Sequence, residues 1–137
     1  MKDTTRKYLI ITLLFVAVYG VVMLKHYRDQ KQAEGLPNDS VIGKGKPVLL
    51  ELGSDSCVPC RQMLPILIAL HNKQKTFIVS FVDVWKVTEK SAQYHINSIP
   101  TQIFFDKDGN ELFRHVGFFP KEDILAKWKE LGVETQL

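Results

Sequence analysis

The chain contains two cysteines, and both lie in the tetrapeptide Cys57-Val58-Pro59-Cys60. A C-x-x-C pair by itself is open between a redox disulfide, half of a zinc site and a small structural staple. Its flanks narrow the choice. Upstream, Val48-Leu49-Leu50-Glu51-Leu52 is a short apolar stretch that reads as a buried strand. Downstream, Arg61 to His71 is long and apolar enough for a packed helix. A strand that runs into C-x-x-C at the first turn of a helix is what thiol–disulfide chemistry requires. The partly positive helix N-terminus stabilises the thiolate of the first cysteine.

The segments that follow have readable periods. Thr76 to Val84, rich in β-branched and aromatic residues, predicts a central strand. Thr88 is placed to cap a short helix running toward Tyr94 and His95. Thr101–Phe105 and Glu111–His115 flank Asp106-Lys107-Asp108-Gly109-Asn110, the signature of a hairpin. Pro120 and the acidic Glu122 and Asp123 open a last helix. Ile124, Leu125, Trp128 and Leu131 give that helix one apolar face, and Gly132 stops it. Trp85 and Trp128 read as packing residues, with a place near the cysteines as the second reading of Trp85. The sum is a small α/β sheet covered by helices.

Before this domain, Tyr8 to Leu24 carries no charge. At ~1.5 Å per residue such a helix spans roughly 26 Å, near the short end for crossing a bilayer. Tyr8 and Tyr27 suit the two interfaces. The alternative is a cleaved secretory signal. Val18-Tyr19-Gly20 weakly imitates a cleavage site, but apolar residues continue past it and no A-x-A site is present, so an uncleaved anchor is expected. The expected division is an anchor over 1–28, with its transmembrane helix at 8–24, a polar linker over 29–46, and a domain over 47–137. Ser40-Val41-Ile42 could add a short edge segment to the sheet. Lys2, Arg6 and Lys7 before the span are nearly balanced by Lys25, Arg28 and Lys31 after it.

The formal charge of +3 belongs to the N-terminal part. From Pro47 onward ten Lys/Arg face eleven Asp/Glu, whereas eight face four before it. A near-neutral domain without a basic stripe argues against a nucleic-acid partner.

Further landmarks accompany the cysteines. Pro65 lies inside the helix after them, Ser98-Ile99-Pro100-Thr101 precedes the hairpin, Val116-Gly117 ends it, and Glu51 stands six residues before Cys57. With these, the chain from about Pro47 to its end resembles the thioredoxin-like superfamily. Its Val-Pro dipeptide resembles the membrane-tethered reductases of the TlpA and cytochrome c maturation type. The resemblance implies a thioredoxin fold, a central mixed β-sheet flanked by helices, preceded here by one transmembrane helix. It also implies a redox disulfide between Cys57 and Cys60, with no cofactor and no metal. Cys57 is expected to be the nucleophile and Cys60 the resolving cysteine. Glu51 is expected to be the buried acid that accepts the Cys60 proton. Pro100 is expected to be cis, so that the Ile99 backbone, with Val58 and Pro59, receives an extended substrate segment.

Resemblance also implies the partners. They are a cysteine-containing exported protein as substrate, a membrane thiol-electron donor of the CcdA/DsbD type, and the lipid bilayer through residues 8–24. The expected setting is the bacterial cytoplasmic membrane, single-pass, with a monomeric redox domain on the extracytoplasmic (periplasmic) side. Two departures stand out. Ser56 occupies the place before the first cysteine where thioredoxins usually carry tryptophan. Phe81 occupies the place from which a basic residue usually faces the buried acid. A disulfide-forming oxidase with the same residues is one alternative. A metallochaperone or metal-binding module using the two thiolates is another, although His71, His95 and His115 show no ligand spacing. A membrane-impermeant thiol reagent should label the reduced protein on intact cells or spheroplasts; labelling only after the membrane is broken would reverse the orientation.

Overall fold

The computed structural model describes residues 2–33 and 35–136. They fall into two compact units that divide after Lys31. The first is one helix, α1 (Lys2–Ala33). Within it Thr5–Lys25 is long and apolar enough to cross a membrane, and its apolar side chains are exposed. That stretch takes in the 8–24 expected to cross and a few residues to its N-terminal side. The helix also takes in residues 29–33, where a linker was expected. That stretch is polar, but it lacks glycine and proline, and glutamine, lysine and alanine are good helix formers. Polar composition alone does not set irregular chain.

The second unit is built on β1 (Val48–Gly53), α2 (Val58–Lys73), β2 (Ile78–Asp83), α3 (Glu89–Gln93), β3 (Thr101–Phe105), β4 (Glu111–Val116) and α4 (Lys121–Glu130). The strands form one mixed sheet in the order β2-β1-β3-β4. β1 pairs in parallel with β2, from Val48 opposite Ile78 to Gly53 opposite Asp83. It pairs antiparallel with β3, where Glu51 lies opposite Gln102. β3 and β4 form the hairpin.

β2 is therefore an edge strand, not the central one its apolar residues predicted. Apolar content reports that both faces of a strand are covered and carries no information about its rank in the sheet. No strand precedes β1 among the described residues. Ser40-Val41-Ile42 does not form an edge segment; Asp39–Val41 is a single 3-10 turn, and the Asn38 side chain accepts from the Ser40 amide at 3.0 Å. The outer edge of β2 gains a bond from the Phe81 amide to the Pro37 carbonyl, 3.0 Å. Thr88 stands at the start of α3, but its side chain makes no cap. Its backbone is already helical (φ −63°, ψ −29°), whereas a capping residue needs extended backbone to reach the next amides.

Alternation along the strands sorts the core onto two faces. Leu49, Val79 and Phe104 meet Met63, Leu67 and Leu70 of α2 and Ile124, Leu125 and Trp128 of α4. Val48, Leu50, Leu52, Val82, Ile103 and Phe105 form the opposite core, against which Tyr94, Ile96 and Ile99 pack. Glu51 and Gly53 share the parity of Leu49 and so lie beneath α2. Trp128 is fully buried, its ring 4.9 Å from that of Phe77 and 4.6 Å from that of Phe104. Trp128→Ala should lower unfolding free energy by about 3–5 kcal/mol in urea titrations followed by circular dichroism. Val116→Ala, on an exposed strand position, should change it by under about 0.5 kcal/mol.

Candidate active site

Three chain ends meet at one end of the sheet: β1 exits at Gly53, β2 exits at Asp83, and β3 enters at Thr101 opposite Leu52. The exits are tied together. The Val84 amide donates to the Gly53 carbonyl at 2.9 Å. The Asp83 carboxylate accepts from the Asp55 amide (3.2 Å) and the Ser54 hydroxyl (3.5 Å) of one loop. From the other loop it accepts the amides of Trp85 (3.0 Å) and Lys86 (3.2 Å). The Lys86 ammonium reaches the Asp55 carboxylate at 2.6 Å and, beside it, holds that carboxyl below its usual range. The Asp55 charge, two residues before Cys57, is thus shared with a cation.

The loop delivers Cys57 to the N-cap of α2 with extended backbone (φ −92°, ψ 125°). Its sulfur accepts from the Cys60 amide at 3.4 Å, and its carbonyl accepts from the Arg61 amide at 3.0 Å. Pro59 falls in the first turn, where a missing N–H costs nothing. Cys57 and Cys60 are joined as a disulfide. Cys57 is 8% exposed and Cys60 1%, while Val58 and Pro59 project into solvent. Pro65 lies inside α2.

The Ile99–Pro100 bond is cis. The Pro100 carbonyl accepts from the Gly117 amide at 2.8 Å, and the Thr101 hydroxyl donates to the Ser98 carbonyl at 2.7 Å. Gly117 has φ +101°, a conformation that L side chains adopt with strain. Trp85, expected to pack, is 58% exposed. Its backbone is held by Asp83 at the turn out of β2, and the indole has no core to enter there. Val58, Val116 and Phe118 are exposed too.

Glu51 is fully buried. Phe81 of β2 stands beside it on one edge and Gln102 of β3 on the other. The Gln102 amide nitrogen donates to Glu51 Oε2 at 2.9 Å, whereas Oε1 has no hydrogen-bond partner among the described residues. Burial pushes the carboxyl up to about 8, opposed by the Gln102 hydrogen bond. A methyl group built on Gly53 would lie 3.4 Å from Cys60 Sγ and 3.5 Å from Glu51 Oε1, so the acid and the inner sulfur border one small space. Sequence reasoning missed Gln102 and Asp83. Both had a signal: Gln102 is a lone amide in an otherwise apolar strand core, and Asp83 is the acidic last residue of an apolar strand.

His71 lies in the last turn of α2, His95 follows α3, and His115 stacks on Phe119 from β4 with ring centres 4.0 Å apart. Among the described residues no three His, Cys, Asp or Glu side chains are grouped to hold a metal ion.

A mixed sheet with a disulfide at the N-cap of its first covering helix and a cis-proline loop at the same end defines the thioredoxin-fold class. The thioredoxin-like domain family matches residues 38–132, and the chain belongs to that family. It is similar to a thioredoxin of Mycoplasmoides gallisepticum, 34% identical over 86 residues, 63% of this chain and 85% of the other. It is similar also to the chloroplastic thioredoxin-like protein HCF164 of Arabidopsis thaliana, 27% identical over 107 residues. That match covers 76% of this chain but 41% of the plant protein. Among solved structures a mutant thioredoxin from Halobacterium salinarum shares the fold, with a TM-score of 0.62 and 23% identity over 72% of this chain and 83% of that one. The protein is a thioredoxin-like redox protein, and the family's members are thiol–disulfide oxidoreductases that act on cysteine-containing proteins.

An acid whose pKa is 4.5 when unfolded and about 8 when folded binds more protons folded than unfolded between those values. Its stabilising contribution is full below the lower value and is lost as pH rises through the upper one. The oxidised protein should therefore lose stability, on the order of a few kcal/mol, from about pH 5 to 8. Glu51→Gln should lack that loss, as read from Tm against pH.

Proposed function

We propose that this chain is a membrane-tethered thiol–disulfide oxidoreductase that reduces disulfides of exported proteins through Cys57 and Cys60. The observation that carries the reading is the placement of the two sulfurs: Cys57 caps α2 and accepts the Cys60 amide, while Cys60 lies sealed one turn further in. A thiolate at Cys57 receives that amide and the positive end of α2, so Cys57 is the nucleophile. It attacks the substrate disulfide. Cys60 then loses its proton to Glu51, attacks Cys57, and releases the substrate as a dithiol. Exposed Val58 and Pro59, with Ile99 and Pro100 at the same end of the sheet, form the surface along which an extended substrate segment lies.

The reducing direction is supported by Pro59. A cation directly before Cys60 would stabilise the reduced pair and make it an oxidant, and proline supplies none. The span Thr5–Lys25 supports a single-pass anchor in the bacterial cytoplasmic membrane, with the redox unit extracytoplasmic and monomeric. On this reading a CcdA/DsbD-type membrane dithiol restores the electrons, and apocytochrome c or another exported cysteine protein receives them. The equilibrium potential of the full chain in detergent, titrated against glutathione buffers, should be near roughly −250 mV. A value near about −120 mV would reverse the direction of electron flow. Stoichiometric metal binding by the reduced protein without turnover of a disulfide substrate would favour the metal-binding alternative.

A further inference from the structure

We infer that Gln102 is a positioning residue: it anchors one oxygen of Glu51 so that the other faces Cys60 across the space left open by Gly53. The inference deepens the reading above and rests on its assignment of Glu51 as the proton acceptor. A carboxylate buried on a strand has two oxygens to satisfy. Here β3 supplies one donor, the Gln102 amide at 2.9 Å, to Oε2. Among the described residues Oε1 is left without a partner, on the side where Cys60 lies.

Among the described residues this carboxyl has no other anchor. From β2 the facing residue is Phe81, which can neither donate nor carry charge. From β3 it is Gln102, and from α2 it is Cys60, a titratable thiol once reduced. No charged side chain contributes to the carboxyl's shift, only burial and the Gln102 hydrogen bond. A neutral donor does two things that a cation would not do together. It fixes the orientation of the carboxyl, and it leaves the charge uncompensated, so that the group still takes up a proton near neutral pH.

Gly53 is the second part of the arrangement. Its backbone lies outside the positive-φ region, so its small size answers to space and not to conformation. An added Cβ would come within 3.3 Å of Cys60 Cβ as well as beside Cys60 Sγ and Glu51 Oε1. In the resolving step the Cys60 proton passes to Oε1 across this space. Cys60 sulfur then bonds Cys57 sulfur as the Cys57–substrate bond breaks. The departing substrate sulfur is protonated from solvent, and the two electrons lost by the cysteine pair are those the substrate disulfide gains.

The test mixes the reduced full chain in detergent with a fluorescence-quenched disulfide peptide. Formation and decay of the mixed disulfide are followed separately from pH 5 to 10. In Gln102→Leu, loss of the donor should move the pH midpoint of the decay upward by about one unit or more, slowing decay roughly tenfold at neutral pH, with formation unchanged. Gln102→Lys should move that midpoint downward. Gly53→Ala should slow decay without moving the midpoint. Should a variant fold poorly, the carboxyl stretching band of Glu51, titrated by infrared difference spectroscopy in the oxidised protein, reads the same shift; Gln102→Met then replaces leucine. A midpoint unchanged in the Gln102 variants, with the pH dependence abolished in Glu51→Gln, overturns the role of Gln102 and leaves Glu51 in place. Wild-type decay kinetics in Glu51→Gln overturn the underlying assignment itself.

Discussion

The redox unit depends on a single constraint: β1 has a strand on each edge and a core on each face. Its register with β2 and β3 fixes where those strands begin and end, and its alternation fixes what lies beneath α2. Leu49 feeds the core there, Glu51 comes next, and Gly53 comes last. A one-residue slip would send Glu51 to the opposite core and bring Leu50 and Leu52 beneath the cysteines. The chemistry at the end of the sheet is thus set by packing along its middle.

This explains which parts of the molecule were legible in the sequence. Cys57 and Cys60 sat between a short apolar run and a long one, and each run had a length that admits one structure. The hairpin announced itself in Asp106–Asn110, and α4 in the spacing of Ile124, Leu125 and Trp128. Such signals are local. The rank of β2 was not legible, because it depends on whether another segment pairs with its outer edge. Here the preceding chain turns at Asp39–Val41 instead. Trp85 misled for a related reason: a large apolar side chain carries the same pattern whether or not the fold has a place to bury it.

Gln102 was hidden more deeply. Its importance comes from the residue across the strand pair, and that pairing exists only once β3 is set antiparallel against β1. The departure at Phe81 had been visible as a missing cation, which left the buried acid without a companion. The fold supplies one from the other edge, and it is neutral. Protonation of Glu51 is therefore governed mainly by dehydration and only softened by a dipole.

The Asp83 carboxylate has a mechanical consequence. Two loops, one leading to Cys57 and one carrying Trp85, hang from the same side chain. Each gives up its own bonds to that carboxylate if it leaves, and the Lys86–Asp55 ion pair ties one to the other. The rim around the disulfide is thus braced as one jaw instead of two independent flaps. Whatever approaches the cysteines must therefore adapt its own backbone to that rim. Flexibility in any encounter falls to the visitor.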